Sequence, residues 1–483
     1  MFNKQSITMV IALTVISSGA YVAAQRGNAG PPAQPKYNYG WKSEEFLLLG
    51  NANRGGGEPM IAVDPTNPKN IVVVAMASLQ ALPPEDAGSA RTDISRSTIT
   101  TTAVTHNGGI TWKYGELPML YAVNQRCPDP FLDVTKDGTF LAGCEVVQTA
   151  PGGNSSSSLM ISTDKGENWG PRVELIGWDK SRFAPGLTPA VGHAAPFDRP
   201  YLAIDDATGT IYAVAQGGSA TTPDGKTRGQ AYITASTDGG KTFGTIYAWE
   251  SKDYPQLSRG TGEAAGFGEV AVIYTASSVP TSAGARCPCP VMGISHDLGK
   301  TFAYRVVQNV PSGNQGGGPG GPPSSGMARL TSDPTKEGRY SILSYMAGSS
   351  PHWDVVTSEN HGETWSRPVP AGSTPDAVSL TKPAFKYSHA GLLAFVWRAI
   401  YQDGTYDIWT TISKDSGRTF SNPVRVSHAK SPSTDPIRIG ANDDIQDISI
   451  DNENIHMAWG DFRAGLEGVF YGRVPISAYE FSR

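Results

Sequence analysis

Charge is scarce in this chain, and none of it gathers into a basic run. Only 17% of the 483 residues are Asp, Glu, Lys or Arg, and the formal net charge is −5. A nucleic-acid binder needs a basic stripe to neutralise phosphates, so nucleic acid is not an expected partner. No long amphipathic helical pattern is present. The sequence carries no nucleotide-binding loop, zinc signature, EF-hand loop or G-x-S-x-G elbow, and no cofactor is expected. The apolar run from Ile7 to Ile16 is too short to span a bilayer comfortably. Lys4 precedes it and Val22-Ala23-Ala24 follows, so residues 1–24 read as a signal peptide cleaved before Gln25. No Cys stands at that point, which gives no reason to expect a lipid anchor. The mature protein is expected to be secreted or periplasmic, free of the membrane, and monomeric.

Cysteine is nearly absent as well, with four in the chain. Cys127 and Cys144 lie almost symmetrically about the turn from Asp133 to Gly138, opposite each other on a hairpin, and are expected to form a disulfide. Cys287-Pro288-Cys289 stays open at this level: a bond there is strained, and a metal needs more ligands than lie nearby.

Glycine and proline are abundant, 55 and 36 residues, which suits a turn-rich all-β protein. One stretch organises the chain: Ser236-Thr-Asp238-Gly-Gly240-Lys-Thr242-Phe243. Variants of it begin at Thr105, Ser162, Ser295, Ser358 and Ser413, spaced 55 to 74 residues apart. Repetition on that scale means an array of similar supersecondary units. The Asp or Asn closes a tight turn by accepting backbone hydrogen bonds. The Gly takes a backbone angle that a Cβ opposes. The final Trp or Phe opens the next strand.

The pattern S-x-D-x-G-x-T-W/F resembles the Asp-box, or bacterial neuraminidase repeat, of sialidase-like β-propellers. That resemblance implies a propeller of four-stranded antiparallel blades over residues 41–483, after a Pro/Gly-rich linker at 25–40. A Gly/Pro-rich insertion is expected at 311–326. Opening strands are read at Glu58–Val63, Asp129–Val134, Arg199–Ile204, Glu269–Tyr274, Met327–Leu330, Lys382–Phe385 and Asp447–Ile450. Seven openings against six octets favour seven blades over six. The last blade lacks a strand, and Glu44–Leu49 is expected to supply it and close the ring.

In such a ring, one mouth collects residues that precede each first strand or follow each second strand. Glu58, Asp129, Arg199 and Lys382 each stand immediately before Pro, where Pro suits a strand's first residue. Second strands end near Glu145, Tyr345, Arg398, Asp461 and Arg463. Arg54, Arg398 and Arg463, on blades that ring closure makes neighbours, form a candidate clamp for a substrate carboxylate. Sialidase-like enzymes hold their substrate with three arginines and use an Asp acid/base and a Tyr nucleophile. By that resemblance Glu58 and Asp129 are the candidate acid/base pair and Tyr345 the candidate nucleophile, although the family's N-terminal Arg-Ile-Pro motif is missing. The functional expectation is an exported glycoside hydrolase acting on acidic glycans. Two alternatives stand beside it. One is a uronic-acid lyase, with Arg199 neutralising the carboxylate and His193 or Tyr201 moving the proton. The other is a non-catalytic propeller that binds glycan or protein.

Overall fold

The computed structural model describes residues 42–49, 54–79, 98–118, 125–148, 156–177, 179–187, 197–221, 227–249, 251–310, 329–432, 445–463 and 468–481. The expected signal peptide, the linker and the 311–326 insertion lie outside them. Seven antiparallel sheets carry the fold, and helix among the described residues is confined to short 3-10 turns. Each sheet holds four main strands, and the first strand of each blade lies beside the first strands of the blades before and after it. The contacts run round from blade seven to blade one, so the ring is a closed seven-bladed propeller.

Closure is made by the strand Glu44–Leu49. It pairs antiparallel with Gly468–Pro475, the third strand of blade seven, with Phe46 opposite Tyr471. This pairing supplies the fourth strand of blade seven and covers the outer edge of Gly468–Pro475.

The inner strands leave one backbone edge facing the axis, and side chains from neighbouring blades satisfy part of it. Asp447 accepts from the Ile61 amide at 3.1 Å, and Ser449 from the Val63 amide at 3.0 Å. The Tyr387 amide donates to Thr331 Oγ1, and Ser332 Oγ donates to the Ala265 carbonyl. Between the blades lie stacked apolar layers, with Trp397, Trp459 and Trp249 among the largest enclosed side chains.

One opening strand differs from expectation. Glu269–Ala276 is the second strand of blade four, and the first is Gln256–Gly266, paired antiparallel to it. Gly, Ser, Thr and Ala dominate that first strand, so it lacks the β-branched alternation that marks strands in sequence.

All six octets join third strands to fourth strands. In the copy at Ser236, the serine hydroxyl donates to Asp238 Oδ1 at 2.7 Å and accepts from the Gly240 amide at 2.9 Å. Asp238 Oδ1 also accepts from the Thr242 amide. The Gly-amide-to-hydroxyl bond recurs at Thr105, Ser162, Ser295, Ser358 and Ser413. The Thr242 hydroxyl, the Thr242 amide and Ser236 hold the Asp238 carboxyl down at about 2. An acid held that low is a turn-former, not a proton donor at neutral pH.

The octets also join blade to blade. The residue before the octet Gly takes a left-handed conformation at Lys165, His361 and Ser416. Each reaches a partner tied to the preceding blade: Lys165 pairs with Asp64, His361 with Glu269, and Ser416 accepts from Arg339, which also holds Asp333. This role was not readable from the octet, whose variable positions carry no shared residue type.

Candidate active site at the propeller mouth

The mouth lies at the end of the ring opposite the octets. Its inner wall is built by a repeated irregularity. In blade one the pairing of Arg54–Val63 with Ile71–Leu79 shifts between Gly57 and Met60, which places Glu58-Pro59 in a bulge. Blade three shifts between Asp198 and Tyr201, around Arg199-Pro200, and blade six between Thr381 and Ala384, around Lys382-Pro383. In blade two Asp129-Pro130 stands in the same place, between Arg126, paired with Val147, and Phe131, paired with Gly143.

The prolines therefore do not begin the strands, as the sequence reading has it. Three of these strands run on upstream, at Arg54, Phe197 and Ala377, and in blade two pairing resumes upstream at Gln125–Arg126. Proline has no amide to give the ladder, so inside a strand it is accommodated at a bulge. Glu58, Asp129 and Lys382 hold φ values of 50°, 47° and 51°. Non-glycine residues pay a conformational penalty there, and proline behind them restricts the backbone further. Three charged residues are thus held in strained conformations at matched heights around one mouth.

Glu58 and Glu145 are enclosed, at 0% and 2% exposure, whereas Asp129 is half-buried. Cys127 and Cys144 are bonded, with Cα atoms 5.3 Å apart, and clip the approach to Asp129 onto the second strand of blade two. The Glu145 amide donates to the Pro128 carbonyl alongside. Replacing both cysteines by serine is expected to lower stability by about 2–3 kcal/mol, as a loop of this size predicts, read as a shift in urea midpoint. Cys287 and Cys289 are bonded to each other, which answers the question their spacing left open.

Two of the three arginines expected to form the clamp, Arg463 and Arg398, bond other parts of the ring. Arg463 Nη1 and Nη2 fork onto Glu45 at 2.7 and 2.8 Å, and its Nε and Nη2 bond Asp461 at 3.0 and 2.8 Å. Its guanidinium also stacks over Phe470, 4.2 Å from the ring centre. Burial pushes this group toward deprotonation, but the two carboxylates outweigh it and leave it raised above the ordinary arginine value. Arg463 therefore fastens the closing strand. Arg398 is 3% exposed, lies over the Tyr406 ring and donates to the Gly460 carbonyl at 3.0 Å, which ties blade six to blade seven. The side chains of Arg54 and Arg199, and the whole of His193, lie outside the described residues.

Tyr345 lies next to the end of the second strand of blade five, its ring 5.1 Å from that of Trp353. Among the described residues no carboxylate hydrogen-bonds its hydroxyl.

Below the mouth the axis holds a cavity of about 230 Å³, lined by Tyr201, Glu263, Gln446 and the inner strands of all seven blades. Sequence reasoning missed the charges along it. Lys386 pairs with Asp447 at 3.0 Å. Asp133 stands nearby; burial pushes its carboxyl up, against the pull of Lys386. These residues sit on inner strands, where alternation alone does not tell a wall position from a core position.

No protein-family model matches the chain, and no curated protein does. Solved structures similar to it include a protein of unknown function from Dyadobacter fermentans, at 11% identity and TM-score 0.48 over 91% of this chain and 98% of that one. A Hadza microbial sialidase is 13% identical, with TM-score 0.45 over 94% and 99%. The Trypanosoma rangeli sialidase in complex with the inhibitor DANA is 12% identical, with TM-score 0.47 over 90% and 60%.

Proposed function

We propose that this propeller is an exported glycoside hydrolase that takes acidic glycans at its mouth. The observation that supports the reading is the matched set of left-handed charged residues, Glu58, Asp129 and Lys382, each ahead of a proline in an inner-strand bulge. Backbone strain of this kind concentrates where geometry serves a ligand or a reaction. A ring of charges that served solubility alone would have no need of it.

In this reading Asp129 and Glu58, on adjacent blades, are the acid/base pair. With Arg463 and Arg398 engaged in joining blades, the substrate carboxylate falls to Lys382 and Arg199, with Arg54 at the entrance. Tyr345 is the candidate nucleophile. The two disulfides suit an oxidising compartment and so support export.

The test is a panel of sialosides and uronic-acid glycosides given to the purified protein, followed by variants on any substrate that turns over. Asp129→Asn and Glu58→Gln are each expected to lower kcat about a hundredfold or more. Lys382→Ala is expected to raise KM, and Tyr345→Phe tests the nucleophile. Absence of turnover on every acidic glycoside, or full activity in Asp129→Asn, refutes the proposal.

A further inference from the structure

At the octet end of the central cavity a contact crosses the axis. His389 belongs to the turn after the first strand of blade six, and Asp206 to the equivalent turn of blade three. Blades three and six are as far apart as a ring of seven allows, yet His389 Nδ1 and Asp206 Oδ2 are 2.5 Å apart. Both residues line the cavity. The contact therefore spans the axis and floors the cavity at its octet end.

We propose that His389 and Asp206 form a pH-sensitive latch across the central channel, closed while the imidazole is protonated and loosened as it loses its proton. The proposal is independent of the chemistry at the mouth. It rests on the placement of a titratable pair where two opposed turns meet over a cavity and on the lack of any covalent link between those turns.

The surroundings of His389 set the direction. Asp206 faces it directly, and Asp133 of blade two contributes a second negative charge. Lys136, in the turn after Asp133, opposes them. Lys386, on the strand that leads into the His389 turn, is engaged by Asp447 of blade seven. Blade five packs its turn against the far side of the His389 turn, with Asp333 near Gly391, and Asp333 is held by Arg339. Burial disfavours the charged imidazole, but the hydrogen bond and charge of Asp206, with Asp133, outweigh it and leave His389 above its ordinary value.

A histidine raised in the folded state contributes stability fully below its ordinary value of about 6.5. That contribution is lost as pH rises through the raised value. The latch is thus firm in mild acid and weak in mild alkali.

Hydrogen exchange on the intact protein reads this directly. Protection of residues 388–391 and 205–209, corrected for intrinsic exchange, is expected to fall between pH 6 and pH 9 by roughly tenfold per unit of raised pKa. In His389→Gln, which keeps a hydrogen-bonding side chain without the charge, and in Asp206→Asn, the fall is expected to vanish. A second measurement needs no variant: the imidazole resonance of His389 in the wild-type protein should titrate above about 6.5. Equal pH dependence in wild type and His389→Gln, or a midpoint at or below the ordinary value, overturns the latch.

Discussion

Replacing Arg463 by alanine lowers stability by about 3–5 kcal/mol, the range for removing one partner of an enclosed ion pair. Two carboxylates are left behind: Asp461, 0% exposed, and Glu45, whose side chain is 7% exposed. Each keeps some support, since Trp459 donates to Asp461 and the His428 amide to Glu45. Neither of those donors carries the positive charge that is lost. The strand Glu44–Leu49 then loses its charged lateral anchor, leaving its ladder with Gly468–Pro475, the His428 amide on Glu45 and the ion pair between Glu44 and Arg473. Arg463→Ala should therefore shift the urea midpoint downward and make the N-terminal strand cleavable at low protease concentrations. Arg463→Lys should recover only part of the loss, because one ammonium cannot reproduce a fork that serves two carboxylates. The same variant separates the two roles considered for this residue. A substrate-clamping arginine would lose binding with its urea midpoint unchanged, and that outcome would sink the structural assignment.

Gly166→Ala is expected to be the second most damaging of the substitutions considered. Gly166 holds φ at +87°, and a Cβ built there lies 2.6 Å from Val72 Cγ2 and 3.3 Å from Val104 Cγ2, both on blade one. Left-handed backbone costs an alanine about 1–2 kcal/mol. Forcing a methyl into a packed joint adds about 1–3 kcal/mol. Gly239→Ala is the matched control: its φ is +75° and nothing lies within 4 Å of its added Cβ. It should show the backbone cost alone, about 1–2 kcal/mol. Gly362→Ala should fall between them, since the atom it meets at 2.9 Å is the thioether of Met292, which can move aside. Urea unfolding of the three variants ranks them. If Gly166→Ala and Gly239→Ala are equally affected, the octet glycines are not joints between blades.

Joints of this kind recur around the ring. The Gly240 Cβ position is 3.1 Å from Leu159 of blade two, that of Gly299 is 2.9 Å from Ile233 of blade three, and that of Gly417 is 2.8 Å from Thr357 of blade five. The octets thus work at two ranges. Their Ser, Asp and Thr close the turn, and their Gly lets the turn lie flat against the blade before it.

The two ranges explain what could be read in advance. A turn such as Ser236–Phe243 is closed by atoms within four residues of one another, as from Ser236 to Gly240 and from Asp238 to Thr242, so its chemistry is written in consecutive letters. Seven apolar openings against six octets, with an unassigned strand at Glu44–Leu49, were enough to imply the closed ring. The hairpin position of Cys127 and Cys144 was equally local, the two being 17 positions apart. Blade four escaped because its first strand is built of small residues and carries no alternating signal.

Long-range pairings were not legible. Arg463 was a reasonable carboxylate clamp by its height in the blade, but its partner Glu45 is 418 residues away and reaches it only because the ring closes. His389 and Asp206, 183 residues apart, meet because two turns on opposite blades lean over the same axis. Short-range hydrogen bonding and hydrophobic alternation are properties of adjacent residues, and they dictated blades, turns and closure. Which charges neutralise one another depends on side-chain direction and on which blades end up face to face, and only the assembled ring settles that.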